Sequence, residues 1–219
     1  YQRTYISSFF FWDILFIYCE SFLITSPLLV TSPPASGKTY ISKLLAKRLK
    51  HVVYLDKDTL ITLSKHIFAV AGQPFDRSSD FFEQHIRNPE YDCIVALALE
   101  ALDYEDIVLI NAPFTREIRD MEYILNLKDK LSEKNANLVV VWVETSPEVV
   151  YKRMILRNSE RDTWKLAHWD EDLAECNFNI PSNLDDPKIK DDLLIIKNDN
   201  QHELEASMKE VLDILEDNV

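Results

Sequence analysis

Short, unbroken apolar runs alternate with longer mixed stretches along most of the chain. The runs are rich in β-branched residues and too short for helices, which indicates strands that are covered on both faces. The five predicted strands span residues 27–31, 51–55, 106–111, 137–144 and 192–197. Because the intervening stretches are long enough for helices, the pattern predicts an α/β fold around a five-stranded parallel sheet.

Several of the intervening stretches carry helix signals. Residues 38–49 and 201–215 have apolar side chains at helical spacing. Thr115 is a candidate N-cap for a helix after the third strand. Ser146 is followed by Pro147, the combination typical of a capping residue and a first helical position.

The start of the chain differs from the rest because residues 9–24 are apolar and aromatic. Asp13 and Glu20 interrupt this segment, and it falls short of the roughly 20 residues of a membrane helix, so we expect no membrane insertion. We predict that residues 1–26 form a helix packed on a single domain of residues 27–219. The alternative is an exposed aromatic surface that binds a partner or a second copy in a homodimer.

The composition is that of an ordinary globular protein of 219 residues, with 47% hydrophobic and 28% charged residues. The net charge of −13 argues against nucleic-acid binding, which requires basic surfaces that release counterions. Cys19, Cys93 and Cys176 are odd in number and far apart. They indicate reduced thiols in a cytoplasmic protein rather than a disulfide framework.

The first strand leads into a loop that matches most of a phosphate-binding motif. Residues 28–39 read LLVTSPPASGKT, and the motif requires glycine, four residues, then Gly-Lys-Ser/Thr. Ser32 stands at the first glycine position, while Gly37 is one of two glycines in the chain. The order of strand, loop and helix favours a phosphate-binding (Walker A) loop over a purely structural turn.

Each matching position in the loop has a physical role. Gly37 allows close backbone approach to phosphate, and Lys38 would reach the β- and γ-phosphates. Thr39 would place its hydroxyl on Mg²⁺. The residues expected to contact the nucleotide here are Pro34, Ala35, Ser36, Gly37, Lys38, Thr39 and Tyr40.

Acidic residues follow the second strand, where parallel sheets collect their ligands. Asp56 would bind Mg²⁺, directly or through water, or orient an acceptor hydroxyl and accept its proton. Asp58 is a weaker candidate for substrate binding, because Asp58 or Thr59 would also suit a helix cap. The third strand ends in Asn111 instead of an acid, which moves the acidic role toward Asp56.

Arginines recur at every fourth position after the fourth strand. Arg153 and Arg157 would share a helix face, and Arg161 falls at the helix end or in the next loop. Such guanidinium groups can neutralise charge on a transferring phosphoryl group.

The acceptor side is expected from residues 59–105, the segment between the second and third strands. Arg77 and Arg116 are candidates for binding an anionic acceptor, although Arg116 would also suit a surface pair with Glu117 or Asp120. The aromatic side chains of this segment suit either a ligand or the core, and we favour the core for Phe81 and Phe82.

The loop, the acidic turn, the arginine series and Asn198-Asp199-Asn200 after the fifth strand together resemble the phosphate-loop kinases of small molecules. These include nucleotide, shikimate, gluconate, adenylylsulfate and antibiotic-phosphorylating kinases. The resemblance covers residues 27–215 and implies three α/β/α layers, with sheet order 2-3-1-4-5. It also implies a mobile lid near residues 153–170, and Asn198 and Asp199 near an adenine base.

The resulting hypothesis is a kinase that uses ATP and Mg²⁺ to phosphorylate a small molecule. The expected catalytic residues are Lys38, Asp56, Arg157 and Arg161, and Arg153 and Arg157 would also bind nucleotide. One alternative is a nucleotide-binding switch that has no small-molecule acceptor. Another is a toxin-like kinase that acts on a cell-wall sugar-nucleotide precursor.

Overall fold

A five-stranded, wholly parallel sheet forms the centre of the protein. The computed structural model describes residues 26–175, 178–187, 189 and 193–217. The strands are β1 (Ser26–Thr31), β2 (Val52–Asp56), β3 (Ile107–Asn111), β4 (Val139–Glu144) and β5 (Leu193–Lys197). Their order is β2-β3-β1-β4-β5, which confirms the expected fold class and sheet order.

Nine helices connect or follow these strands in the described part of the chain. They are α1 (Lys38–Arg48), α2 (Ile61–Val70), α3 (Asp80–His85), α4 (Arg87–Ala101), α5 (Met121–Ser132), α6 (Pro147–Arg157), α7 (Glu160–Ala167), α8 (Trp169–Glu175) and α9 (Gln201–Asp217). Short 3-10 turns span Lys57–Leu60, Glu117–Arg119 and Ser182–Asp185. None of the helices in the described ranges is both long and apolar enough to cross a membrane.

The core lies on both faces of the sheet. Leu28 and Val30 of β1 pack in a cluster with α1 and α9, whereas Leu29 between them packs in a cluster with α4 and α5. This alternation follows from the two-residue period of a strand, and it explains why β1 is apolar at consecutive positions. The result is the expected three-layer α/β/α arrangement.

Two helix predictions need correction. Helix α5 begins at Met121, not near Thr115, and Oδ1 of Asp120 caps it by accepting from the N–H groups of Glu122 and Tyr123 at 3.0 and 3.2 Å. Phe114, just before Thr115, is left-handed (φ 48°), and a 3-10 turn over Glu117–Arg119 lies between Thr115 and the helix. The predicted N-terminal helix lies outside the described residues, except for Ser26, which begins β1.

Candidate active site

A cleft of about 820 Å³ opens around the loop between β1 and α1. Its lining comes from this loop and from segments that follow β2, β3 and β4, as expected for ligand sites in parallel sheets. The lining residues are Ser32, Pro33, Pro34, Ala35, Ser36, Gly37, Lys38, Thr39, Tyr40, Asp58, Pro113, Thr115, Arg153, Arg157, Asp162 and Lys165. The structure therefore brings the predicted loop residues, Asp58 and two of the predicted arginines to one cavity.

Gly37 is the loop residue whose identity the backbone most strictly requires. Its φ of +92° lies in the left-handed region, and a Cβ at this position would clash with Nδ2 of Asn198. Gly37 directly precedes α1, whose N-terminus favours anions through its free N–H groups and its dipole. The loop thus has the geometry that phosphate binding needs.

Three side chains from distant elements hold the carbonyl oxygen of Ser36. Oγ1 of Thr145 donates to it at 3.1 Å, Nη1 of Arg153 at 3.2 Å, and Nδ2 of Asn198 at 2.7 Å. Nη2 of Arg153 also donates to the carbonyl of Asn198 at 2.5 Å. The segments after β4 and β5 therefore hold the backbone of the phosphate loop in place. The sequence did not indicate this role for Arg153 or Asn198.

A second cleft of about 460 Å³ lies on the α9 side of the loop. Its lining includes Tyr40, Arg153, Asn198 and Asp199, which were all predicted nucleotide contacts. Asp199 is fixed there because Oδ1 accepts a 2.7 Å hydrogen bond from the backbone N–H of Ser146. The expected adenine position beside Asn198 and Asp199 stays a prediction, and this cleft offers the space for it.

Asn111, the residue in place of an acid, is the centre of a hydrogen-bond network. Its Oδ1 accepts from Nζ of Lys38 at 2.8 Å, and its Nδ2 lies 2.9 Å from Oδ2 of Asp56. The same nitrogen lies 3.3 Å from Oγ1 of Thr39 and 3.2 Å from Oη of Tyr54. The β2–β3 register, which pairs Asp56 with Asn111, brings these groups together. Tyr54 belongs to this network and was missed because it reads as an ordinary strand residue.

The charges in this network influence one another. Burial lowers the pKa of the Lys38 ammonium group, and the negative charges of Asp58 and Asp56 oppose that shift. Burial, together with the hydrogen bond to Asp56 at 3.0 Å, raises the pKa of the Tyr54 hydroxyl. Tyr54 therefore remains a neutral donor to Asp56 at physiological pH.

Asp56 also organises the turn that follows β2. Its Oδ1 accepts from the backbone N–H of Asp58 at 3.0 Å, so Asp56 caps the 3-10 turn, rather than Asp58 or Thr59. Within the described residues, no cluster of three or more His, Cys, Asp or Glu side chains is arranged to hold a metal. A magnesium ion usually needs only one or two protein ligands beside phosphate and water, which Thr39 and Asp56 would supply.

The predicted lid contains a fixed ion pair. Nε and Nη2 of Arg157 donate to the carboxylate of Asp162 at 2.7 and 2.6 Å, and Asp162 is buried. Asn158, with a φ of 44°, ends α6, and α7 begins two residues later at Glu160. Arg161 falls in α7, and its side chain lies outside the described part of the structure.

The structure does not bring Arg77 or Arg116 to the lining of the cleft. Arg77 donates through Nη1 and Nη2 to Glu90, both at 2.8 Å, and it stacks over the buried ring of Phe82. Arg116 pairs with Glu83 at 2.6 Å instead of Glu117 or Asp120. Phe82 packs in a small core cluster beside Phe81, as the sequence favoured.

Comparison with known proteins supports the kinase-like fold. A model of the AAA domain family matches residues 28–178. A UPF0200 protein of Saccharolobus islandicus is 25% identical over 188 residues, covering 85% of this chain and 92% of that protein. A sugar kinase from Janibacter sp. HTCC2649 has a TM-score of 0.53 at 15% identity, covering 88% of this chain and 95% of that one. The PezAT toxin–antitoxin system of Streptococcus pneumoniae gives a TM-score of 0.51 at 14% identity, with coverages of 89% and 84%.

Proposed function

Because this chain belongs to the AAA domain family and has a phosphate-loop kinase-like fold, we propose that it transfers the γ-phosphoryl group of MgATP to a small-molecule acceptor. The family and the fold support nucleotide binding and phosphotransfer in general. The choice of ATP, of Mg²⁺ and of a small acceptor is our proposal.

The contact of Asn111 with both Lys38 and Asp56 carries this proposal. One amide side chain joins the lysine that would hold the donor phosphates to the carboxylate that would activate the acceptor, through contacts of 2.8 and 2.9 Å. Phosphoryl transfer needs donor and acceptor groups side by side, since most of its catalysis comes from positioning and electrostatics. A nucleotide-binding switch has no need for an acceptor carboxylate at this place.

The chain's own residues supply the remaining parts of the reaction. Lys38 and Arg157 would stabilise negative charge on the phosphoryl group as its bond to the ADP oxygen breaks. Asp56 would orient the acceptor hydroxyl and accept its proton as the new O–P bond forms. Thr39 and Asp56 would hold Mg²⁺, which neutralises phosphate charge when it is bound.

The test is transfer of label from γ-labelled ATP, with Mg²⁺, to a deproteinised pool of small metabolites. We expect a labelled small product with the unmodified protein and none with Lys38→Ala, whose circular dichroism should be unchanged. A product that proves to be a sugar nucleotide would favour the toxin-like kinase. Tight ATP binding without any labelled product would contradict the kinase proposal and favour a switch.

A further inference from the structure

The acceptor side of the main cleft presents oxygen atoms and a negative charge. We propose that the acceptor is a hydroxyl compound without negative charge, either neutral or carrying an ammonium group. This inference rests on the proposed kinase function and names the class of its acceptor. It follows from where the cations of the described structure lie and what each of them contacts.

The four cations that line the main cleft belong to the nucleotide side. Lys38 is part of the phosphate loop, and Arg153 donates to the carbonyl of Ser36 in that loop. Arg157 and Lys165 lie on α6 and α7, in the predicted lid. Cations at these positions suit the phosphates of a nucleotide. Among the described residues, no cation lines the side of the cleft that follows β2 and β3.

Arg77 lies in the loop between α2 and α3 and pairs with a buried carboxylate. Glu90 is 4% exposed and accepts from both terminal nitrogens of Arg77 at 2.8 Å. It also accepts from Lys57 at 2.6 Å and Ser64 at 2.5 Å, so each of its oxygens has two donors. Arg77 is held by this buried carboxylate and does not line the cleft, so it is not placed to bind an anionic acceptor there.

Two further arginines on this side, Arg87 and Arg116, are also paired. Nη1 of the buried Arg87 donates to Glu117 at 2.8 Å, and its guanidinium lies over the ring of Tyr91. Arg116 contacts both carboxylate oxygens of Glu83, at 2.6 and 3.2 Å. Arg77, Arg87 and Arg116 therefore each contact a neighbouring carboxylate instead of lining the cleft.

The charged group that the acceptor side does present to the cleft is Asp58. Its side chain is exposed and lines the cavity with Thr115, and no hydrogen bond or ion pair of its carboxylate occurs among the described residues. Asp56 lies two positions earlier and adds a second carboxylate to the same turn. Carboxylates attract ammonium groups and accept hydrogen bonds from hydroxyls, but they repel carboxylates and phosphates.

The test separates a metabolite pool by charge before the reaction. Ion exchange at pH 7 divides the pool into anionic, neutral and cationic fractions, and each fraction is incubated with γ-labelled ATP, Mg²⁺ and the full chain. We expect a labelled product from the neutral or the cationic fraction, absent with Lys38→Ala. A product confined to the anionic fraction would overturn this inference and leave the kinase function intact, whereas no product from any fraction would overturn the kinase function itself.

A charge reversal at the cleft gives an independent measurement. Glucose, glucosamine and gluconate are a matched neutral, cationic and anionic set, to be used beside the acceptor found in the pool. For an acceptor without negative charge, Asp58→Lys should lower kcat/KM for that acceptor at least tenfold, and Asp58→Asn should lower it less. Equal or higher kcat/KM in Asp58→Lys, or preferred phosphorylation of gluconate by the unmodified protein, would contradict the inference.

Discussion

The side-chain amide nitrogen of Asn198 donates a 2.7 Å hydrogen bond to the carbonyl oxygen of Ser36, 162 residues earlier in the chain. The contact joins the segment after β5 to the loop after β1, and it places the same amide against Gly37. The conformation of the phosphate loop therefore depends on Asn198, a residue far from the loop in sequence.

Replacing Gly37 by alanine should abolish tight nucleotide binding. The Cβ would clash with Asn198, and the φ of +92° would strain any L-residue at this position. We expect at least a tenfold weaker Kd for ATP in isothermal titration. Adding Asn198→Ala should recover only part of the loss, because it relieves the clash and leaves the backbone strain.

Gly72 offers a matched control for that experiment. It also has a positive φ, of +66°, but no heavy atom lies within 4 Å of its Cβ position. Gly72→Ala should strain the loop after α2 and leave the Kd for ATP unchanged. An equal loss of affinity in both variants would contradict a specific role for Gly37.

Asn111→Asp should make the stability of the protein depend on Mg²⁺. The substitution places a second carboxylate against Asp56 and removes the donors to Asp56, Thr39 and Tyr54. We expect a lower Tm in EDTA, and a rise in Tm on adding Mg²⁺ that exceeds the rise for the unmodified protein by several degrees. Asn111→Leu is the control, since it removes the same donors without adding a charge. A Mg²⁺ response that is the same in both variants would argue against a metal at this position.

Arg157→Ala should slow turnover more than it weakens substrate binding. A guanidinium that meets charge developing in the transition state contributes to kcat, and loss of such a group costs about two orders of magnitude. Steady-state kinetics measures this as kcat and as the KM values for ATP and for the acceptor. Lys152→Ala removes an exposed charge from the same helix and should change kcat by less than twofold. An unchanged kcat in Arg157→Ala would remove this residue from the catalytic set.

Glu90→Gln should destabilise the protein strongly at neutral pH. It would leave the buried Lys57 without its counterion, a change that typically costs about 3–5 kcal/mol of unfolding free energy. Urea denaturation at pH 7 measures this loss. The control is Glu100→Gln, an exposed position on the same helix, where we expect a change of less than about 0.5 kcal/mol.

The same variant tests a pH dependence. Burial opposes ionisation of Glu90, but the hydrogen bonds from Arg77, Lys57 and Ser64 outweigh it, so the pKa of this carboxyl is lowered. A lowered pKa stabilises the folded state above the unfolded value of about 4.3, and the stabilisation is lost as pH falls through the folded value. The difference in stability between the unmodified protein and Glu90→Gln should therefore shrink below about pH 4. A constant difference down to pH 3 would contradict this account.

Much of the fold follows from the sequence because it depends on local patterns. The apolar runs predicted every strand to within two residues of its observed ends, and the resemblance to phosphate-loop kinases supplied their order. The start of α5 was misplaced because Thr115 and Asp120 both suit a cap. Only the three-dimensional course of the chain, with its left-handed Phe114, decides between them.

The candidate site was less predictable because its partners are distant in sequence. The phosphate loop is a local motif, and it occupies the expected cleft. Arg77, by contrast, was a candidate for acceptor binding until the structure placed it against Glu90, 13 residues away. Tyr54 joined Asp56 and Asn111 only once β2 and β3 were paired in register. Spacing along the chain carries no information on such pairings.

We propose that the protein transfers a phosphoryl group to an acceptor that Asp56 activates. The most direct test is the ratio of ADP formed to phosphorylated acceptor formed. We predict a one-to-one ratio in the unmodified protein. In Asp56→Asn both products should form about 100-fold more slowly, and this loss of turnover should exceed the loss of affinity for ATP. ADP formed without phosphorylated acceptor, or full turnover in Asp56→Asn, would contradict the account.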